Sequence, residues 1–220
     1  MKKILILIGL LTCLTGYSQI VDTIIQTPIY TSYYSFKTGT PLFVSYVLYN
    51  GGGNCKRDTM KFRTYGVRSC MNNKNYAHSG FDIGHLANAE DFSFDCLKES
   101  LTFRFINALP QKPRCNRGCW KHIETKTRTQ SKKDSLLVIC GGFDFKQVDF
   151  AYTDSIKNIT IKSFINAPGF CYKIVKNLRT KQIDAYLFPN DDSDTYEVID
   201  IKDLLNNIPY SSFIILRFKF

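Results

Sequence analysis

Two short clusters carry side chains that could do chemistry together. Asp82-Ile83-Gly84-His85 places a histidine three residues behind an aspartate. About thirty residues later, Asn116-Arg117-Gly118-Cys119-Trp120 brings a carboxamide, a guanidinium and the only tryptophan. An uncharged imidazole can take a proton from water at neutral pH. A carboxamide oxygen suits Mg²⁺, which prefers oxygen ligands and keeps several waters. A base beside an oxygen-bound cation fits phosphodiester hydrolysis, which needs activated water, charge relief at phosphorus and help for the leaving alkoxide. His85 is therefore read as a general base and Asn116 as a metal ligand. Other chemistries fit less well. There is no Gly-x-Ser-x-Gly elbow and no cysteine in a His-paired signature. Glu90, Asp91 and Asp95 follow His85 without the separate acidic partner that glycoside cleavage requires.

These roles need a helix carrying Asn116 to face a strand or turn carrying His85. Composition turns helical over residues 115–131, and Pro110 and Pro113 bar a helix before about Arg114. At about 100° per residue, Asn116, Trp120, Glu124 and Arg128 share one side of that helix. Residues 41–49 are apolar on nearly both faces and read as a buried central strand. Residues 19–36 read as one or two short strands, with further strands at 101–106, 135–140, 159–164, 170–176, 182–188 and 212–218. Gly141-Gly142 is expected to close the strand before it, and 200–207 to form a short helix. Residues 50–54 lack the Lys-Ser/Thr of a phosphate loop and read as a flexible hairpin or surface loop. Residues 55–79 are irregular and basic: a solvated loop, or one facing phosphate, with His78 exposed and idle. No repeat or linker interrupts the chain. The expectation is an α+β fold, a mostly antiparallel central sheet flanked by helices.

The chain has 220 residues and a formal charge of +10, a balance that favours polyanionic partners. Residues 1–18 read as a secretory signal peptide, with Lys2 and Lys3 ahead of an apolar run and small residues Gly16 and Ser18 before the cut. The apolar run is too short to span a membrane, so no stable membrane span is expected. Cleavage lowers the charge to +8 and leaves residues 19–220 as one domain, exported to the periplasm or secreted. Eight cysteines become seven without Cys13, so at least one thiol is left free or pairs between molecules. Cys115 and Cys119 have no second close pair, which argues against zinc.

The ordered clusters Asp82-Ile83-Gly84-His85-Leu86, Asn107-Ala108-Leu109-Pro110-Gln111, Asn116-Arg117-Gly118-Cys119-Trp120 and Ile123-Glu124 with Arg128 resemble the DNA/RNA non-specific endonuclease family. Pro41-Leu42-Phe43-Val44-Ser45-Tyr46 also resembles a strand of that family. The likeness is dense over residues 41–128 and looser beyond 135. It implies a ββα-metal active-site motif and a Mg²⁺-dependent endonuclease, with Mn²⁺ as an alternative ion. DNA and RNA would be cut with little sequence preference, leaving 5′-phosphate ends.

By that resemblance His85 is the base and Asn116 binds the metal directly. Glu124 would hold metal-bound water, and Arg128 would support it from one turn further on. Asp82, Asn107 and Gln111 would be supporting groups. Arg57 best matches an upstream phosphate-contacting arginine, with Arg63 second, and Arg117 is a candidate substrate contact. The family usually has a cation where this chain has Ile83. Its loss should weaken substrate binding or transition-state charge relief by ~1–3 kcal/mol. The competing expectation is a nuclease-fold protein that only binds nucleic acid; a glycan binder rests on charge alone. Trp120 is expected in the core. An inhibitor protein is a further candidate partner, and the oligomeric state is open.

Overall fold

Residues 20–220 are described in the structure, a computed structural model; the expected leader, with Cys13, lies outside them. Alternating apolar side chains set its centre. Strands β1 (Thr23–Gln26), β2 (Thr31–Ser35) and β3 (Thr40–Leu48) form an antiparallel meander. The short helices α1 (Asn73–Tyr76) and α2 (Cys96–Thr102) flank a small ribbon strand, β4 (Asp82–His85). Strand β5 (Ala108–Gln111) pairs with β4, and α3 (Pro113–Cys115) leads into the helix α4 (Lys121–Ser131). Then come β6 (Leu136–Asp154), β7 (Ile159–Asn177), β8 (Ile183–Pro189), β9 (Glu197–Val198), α5 (Ile201–Asn207) and α6 (Ser211–Phe218). The large sheet runs β1-β2-β3-β6-β7-β8-β9, antiparallel throughout.

Both faces of this sheet's central strands are covered, which explains why β3 reads as apolar on both sides. On one face Val44, Tyr46, Val138, Cys171 and Val175 pack with Trp120 and Ile123 of the α4 side and with Leu86 and Leu109 beside the ribbon. On the other, Phe43, Ile139, Tyr172 and Ile174 pack with Leu204, Tyr210 and Ile214. A third cluster joins Met71, Tyr76 and Phe105 to Ile165, so that the far part of β7 backs the 55–79 segment.

The α+β expectation holds, with local corrections. Residues 212–218 belong to α6, not to a last strand: Ile214 and Phe218, one turn apart, both face the second core. A short apolar run rich in isoleucine carries no period that separates strand from helix. Gly141-Gly142 does not end β6, which pairs with β7 as far as Asp154; glycine stands there because a side chain would meet the Leu42 carbonyl and Pro168. Likewise 159–164 and 170–176 are one strand. No strand forms at 101–106. Asp95 caps α2 by accepting from the Leu97 and Lys98 amides, and a 3₁₀ turn, Phe105–Asn107, follows. Residues 50–54 are a pinned segment rather than a flexible loop: Asn50 N–H donates to the Ser131 carbonyl at 2.8 Å, and Gly52 N–H to that of Asp91.

Candidate active site

The ribbon β4–β5 puts His85 opposite Ala108 and Asp82 opposite Gln111. Gly84 is required by a close approach, because a Cβ there would lie 1.9 Å from the Gln111 side chain. Asn107 locks the turn after His85. Its Oδ1 accepts from the Ala87 amide, and its Nδ2 donates to the Ala87 and Thr102 carbonyls, all at 2.8–2.9 Å. Asn107 and Gln111 are both fully buried.

Between α3 and α4, residues Asn116–Trp120 form one π-turn. Gly118 departs from helical geometry (φ −104°, ψ −106°), and a Cβ on it would meet the Asp194 carboxylate. Asp194 in turn accepts from the Cys119 amide. The wide turn changes the expected alignment. Asn116, Lys121, Glu124 and Arg128 line one cleft, while Trp120 rotates into the core and meets Phe188 edge-on. An α-helix would have kept Trp120 beside Asn116; the π-turn's extra residue moves Lys121 there instead.

The cleft, about 570 Å³, is lined by Arg57, Ile83, His85, Asn88, Glu90, Asn116, Arg117 and the α4 residues just named. It gathers the predicted catalytic and metal-binding residues. Arg63 lies outside it. Asp82 anchors the cleft's floor: its carboxylate accepts from Asn116 Nδ2 at 3.0 Å and from the Arg117 fork at 2.7 and 2.8 Å. Asp82 thus holds the Asn116 amide, and by taking the amide's donor end it leaves Asn116 Oδ1 as the available acceptor.

His85 is half-buried against Phe62 and Phe103, with ring centroids 4.7 and 4.8 Å away. Its Nε2 has no hydrogen-bond partner among the described residues. Burial, aided by the Arg57 charge, lowers its pKa to about 3, so the ring is neutral at pH 7. Burial raises Glu124 to about 7, against the opposing pull of Lys173, whose Nζ lies 3.8 Å from Glu124 Oε1. Lys173 is 1% exposed and also sits 4.3 Å over the Trp120 ring. Arg128 pairs with buried Asp91 at 3.0 Å, and Tyr46 donates to that same carboxylate. Arg57 pairs with Glu90 and with Glu99.

Lys173 and Asn88 were not singled out from the sequence, and Asp91 was weighed only as one of the carboxylates that follow His85. One signal for Lys173 existed: it shares a strand face with Cys171 and Val175, a lone cation in an otherwise apolar period-two run. Ile83 is half-buried against the third cluster and lines the cleft with an apolar side chain.

Among the described residues no three His, Cys, Asp or Glu side chains gather as a metal cage. One amide oxygen, a neutral imidazole with an orphaned nitrogen and a carboxylate able to accept from water nevertheless fit a hydrated divalent ion.

A strand pair ending on His85 and a helix delivering Asn116 and Glu124 make a ββα arrangement, the class of hydrolytic metal centre anticipated above. The chain belongs to the DNA/RNA non-specific endonuclease family, whose model matches residues 12–212. Human mitochondrial endonuclease G is 33% identical over 70 residues, 32% of this chain and 24% of that protein. The mitochondrial nuclease EXOG of Xenopus laevis is 27% identical over 128 residues, 54% of this chain and 35% of that protein. A chain of the crystal structure of the EndoG/EndoGI complex superposes with a TM-score of 0.69 at 18% identity, covering 83% of this chain and 82% of its own. At that identity the likeness is one of fold.

Proposed function

We propose that this protein is an endonuclease that hydrolyses phosphodiester bonds in DNA and RNA with little sequence specificity. The observation that carries the reading is the convergence of neutral His85, Asp82-oriented Asn116 and ionisable Glu124 in one cleft of a member of this family. His85 takes the proton of the attacking water. Asp82 fixes the Asn116 amide so that its oxygen points away from the donor bond. Glu124, when ionised, would accept a hydrogen bond from water held by a bound metal ion. Mg²⁺ bound through Asn116, with Mn²⁺ able to substitute, would stabilise negative charge on the phosphoryl oxygens and leaving group. The products carry 5′-phosphate ends. Arg57 and Arg117 hold the substrate phosphates, and Arg128 positions Glu124's side of the cleft through Asp91.

Export to the periplasm or beyond, as one domain after removal of residues 1–18, is supported by the disulfide Cys55–Cys96, a bond suited to an oxidising compartment. Among the described residues no helix is long and apolar enough to cross a membrane. An inhibitor protein is a further proposed partner, by analogy with the EndoG/EndoGI complex. The deciding assay incubates plasmid DNA and RNA with the protein in Mg²⁺, in EDTA, and with His85→Ala. Cleavage lost in both controls supports the reading. Intact substrates that are nonetheless retarded on a gel would replace it with a binding module, the reading favoured by the missing cation at Ile83.

A further inference from the structure

A second cleft of about 420 Å³ lies beside the first, lined by Cys55, Lys56, Lys61, Arg63, Phe103 and Arg104 among others. Phe103 is the wall between them, since its ring also meets His85 edge-on. Cys55–Cys96 ties the Lys56–Arg63 side to α2 across this cleft, and both half-cystines line it.

The two clefts differ in electrostatic state. In the first, three of four cations are already matched by carboxylates: Arg57 by Glu90 and Glu99, Arg117 by Asp82, Arg128 by Asp91. In the second, four cations line the wall with no aspartate or glutamate, and none of the four pairs with a carboxylate among the described residues. Arg104 Nε is buried and has no hydrogen-bond partner there. Uncompensated cations around an aromatic wall are the chemistry that holds a polynucleotide backbone.

We propose that the second cleft is a phosphate-backbone subsite that grips the substrate strand beyond the scissile bond and supplies most of the electrostatic affinity. The inference rests on the nuclease reading for its ligand. A strand leaving the catalytic cleft passes the Phe103 wall and lays successive phosphates against Lys56, Lys61 and Arg63. The catalytic cleft orients; its neighbour holds.

The test measures binding of a labelled single-stranded oligonucleotide of about twenty residues by fluorescence anisotropy, in EDTA, over a salt series. The variant is Lys56→Ser/Lys61→Ser/Arg63→Ser, all exposed side chains whose loss uncovers no core. The slope of log affinity against log salt should fall by about 2, at about 0.7 per lost phosphate contact, with affinity down roughly a hundredfold at 0.1 M salt. A control variant, Lys157→Ser/Lys162→Ser/Lys202→Ser, removes the same charge from other exposed positions. An unchanged slope in the first variant, or an equal fall in the control, overturns the subsite. Binding needs no turnover, so a wild type that binds with this pattern but cleaves nothing defeats the nuclease reading and leaves the subsite standing. Wild type that cleaves while the first variant binds normally does the reverse.

Discussion

Replacing Lys173 by methionine should move the pH dependence of cleavage without unfolding the protein. Lys173 Nζ, on a side chain 1% exposed, stands 3.8 Å from Glu124 Oε1. With an effective dielectric of about 20, that separation corresponds to about 4 kcal/mol, or about 3 pH units at 1.4 kcal/mol each. Glu124 titrates at about 7 with Lys173 in place. His85, at about 3, is neutral throughout the working range. The acid limb of the wild-type rate profile therefore belongs to Glu124, with activity rising as its carboxyl ionises near pH 7. Without Lys173 that limb should move up by about 3 pH units, and the rate at pH 8 should fall roughly a hundredfold. Stability should change less than the 3–5 kcal/mol typical of a broken buried pair, because Glu124 escapes the unpaired charge by protonating. The assay is the initial cleavage rate from pH 6 to 10 at fixed Mg²⁺, with thermal melts of the same samples. An acid limb that stays near pH 7 in the variant would refute the reasoning, as would a loss uniform across pH.

Three further outcomes are expected. His85 and Glu124 should tilt stability in opposite directions with pH. Folded His85 refuses the proton that the unfolded chain binds below about 6.5, so its contribution falls by about 1.4 kcal/mol per pH unit on the way to about 3. Folded Glu124 binds a proton up to about 7 while the unfolded chain releases it near 4.5, so its contribution falls as pH rises through that window. Urea unfolding of His85→Asn and Glu124→Gln across pH 4–7 should remove one slope each, and parallel curves would contradict both. Asp82→Asn should weaken metal affinity or turnover 10- to 100-fold by freeing the Asn116 amide and the Arg117 fork; metal titration of the cleavage rate measures it, and an unchanged midpoint and rate would exclude the positioning role. Reducing Cys55–Cys96, a bond spanning 41 residues, should cost about 4 kcal/mol by loop entropy, read as a lower denaturation midpoint in reductant; an unmoved midpoint would show that the loop is held by other contacts.

Much of the site was legible because its residues are local in sequence. Asp82 and His85 share one strand, and Asn116 and Glu124 lie close in sequence on either side of one turn, so each pair was bound to meet near the same place. The π-turn was not legible, because a wide turn depends on Gly118 meeting Asp194 far along the chain. Trp120 was rightly placed in the core, yet for a helix geometry that would have left it beside Asn116. The Lys173–Glu124 and Arg128–Asp91 pairs also join distant segments, and only β-sheet registry sets their distances. The same limit explains residues 211–218, whose apolar run becomes helix because Tyr33 and Phe43 offer a surface to Phe213 and Phe218.

The π-turn also fixes an angular phase. Upstream, Asn190 accepts from the Lys112 amide and holds the entry to α3; downstream, Trp120 and Ile123 seat α4 in the core. Asn116 therefore opens the coupling between two separately anchored segments, and Glu124 lies beyond it in α4. Deleting a single residue after Asn116 would turn it against Glu124 by about 100°, so the enzyme's chemistry is indexed by chain length at Arg117–Cys119 as well as by the glycine at 118.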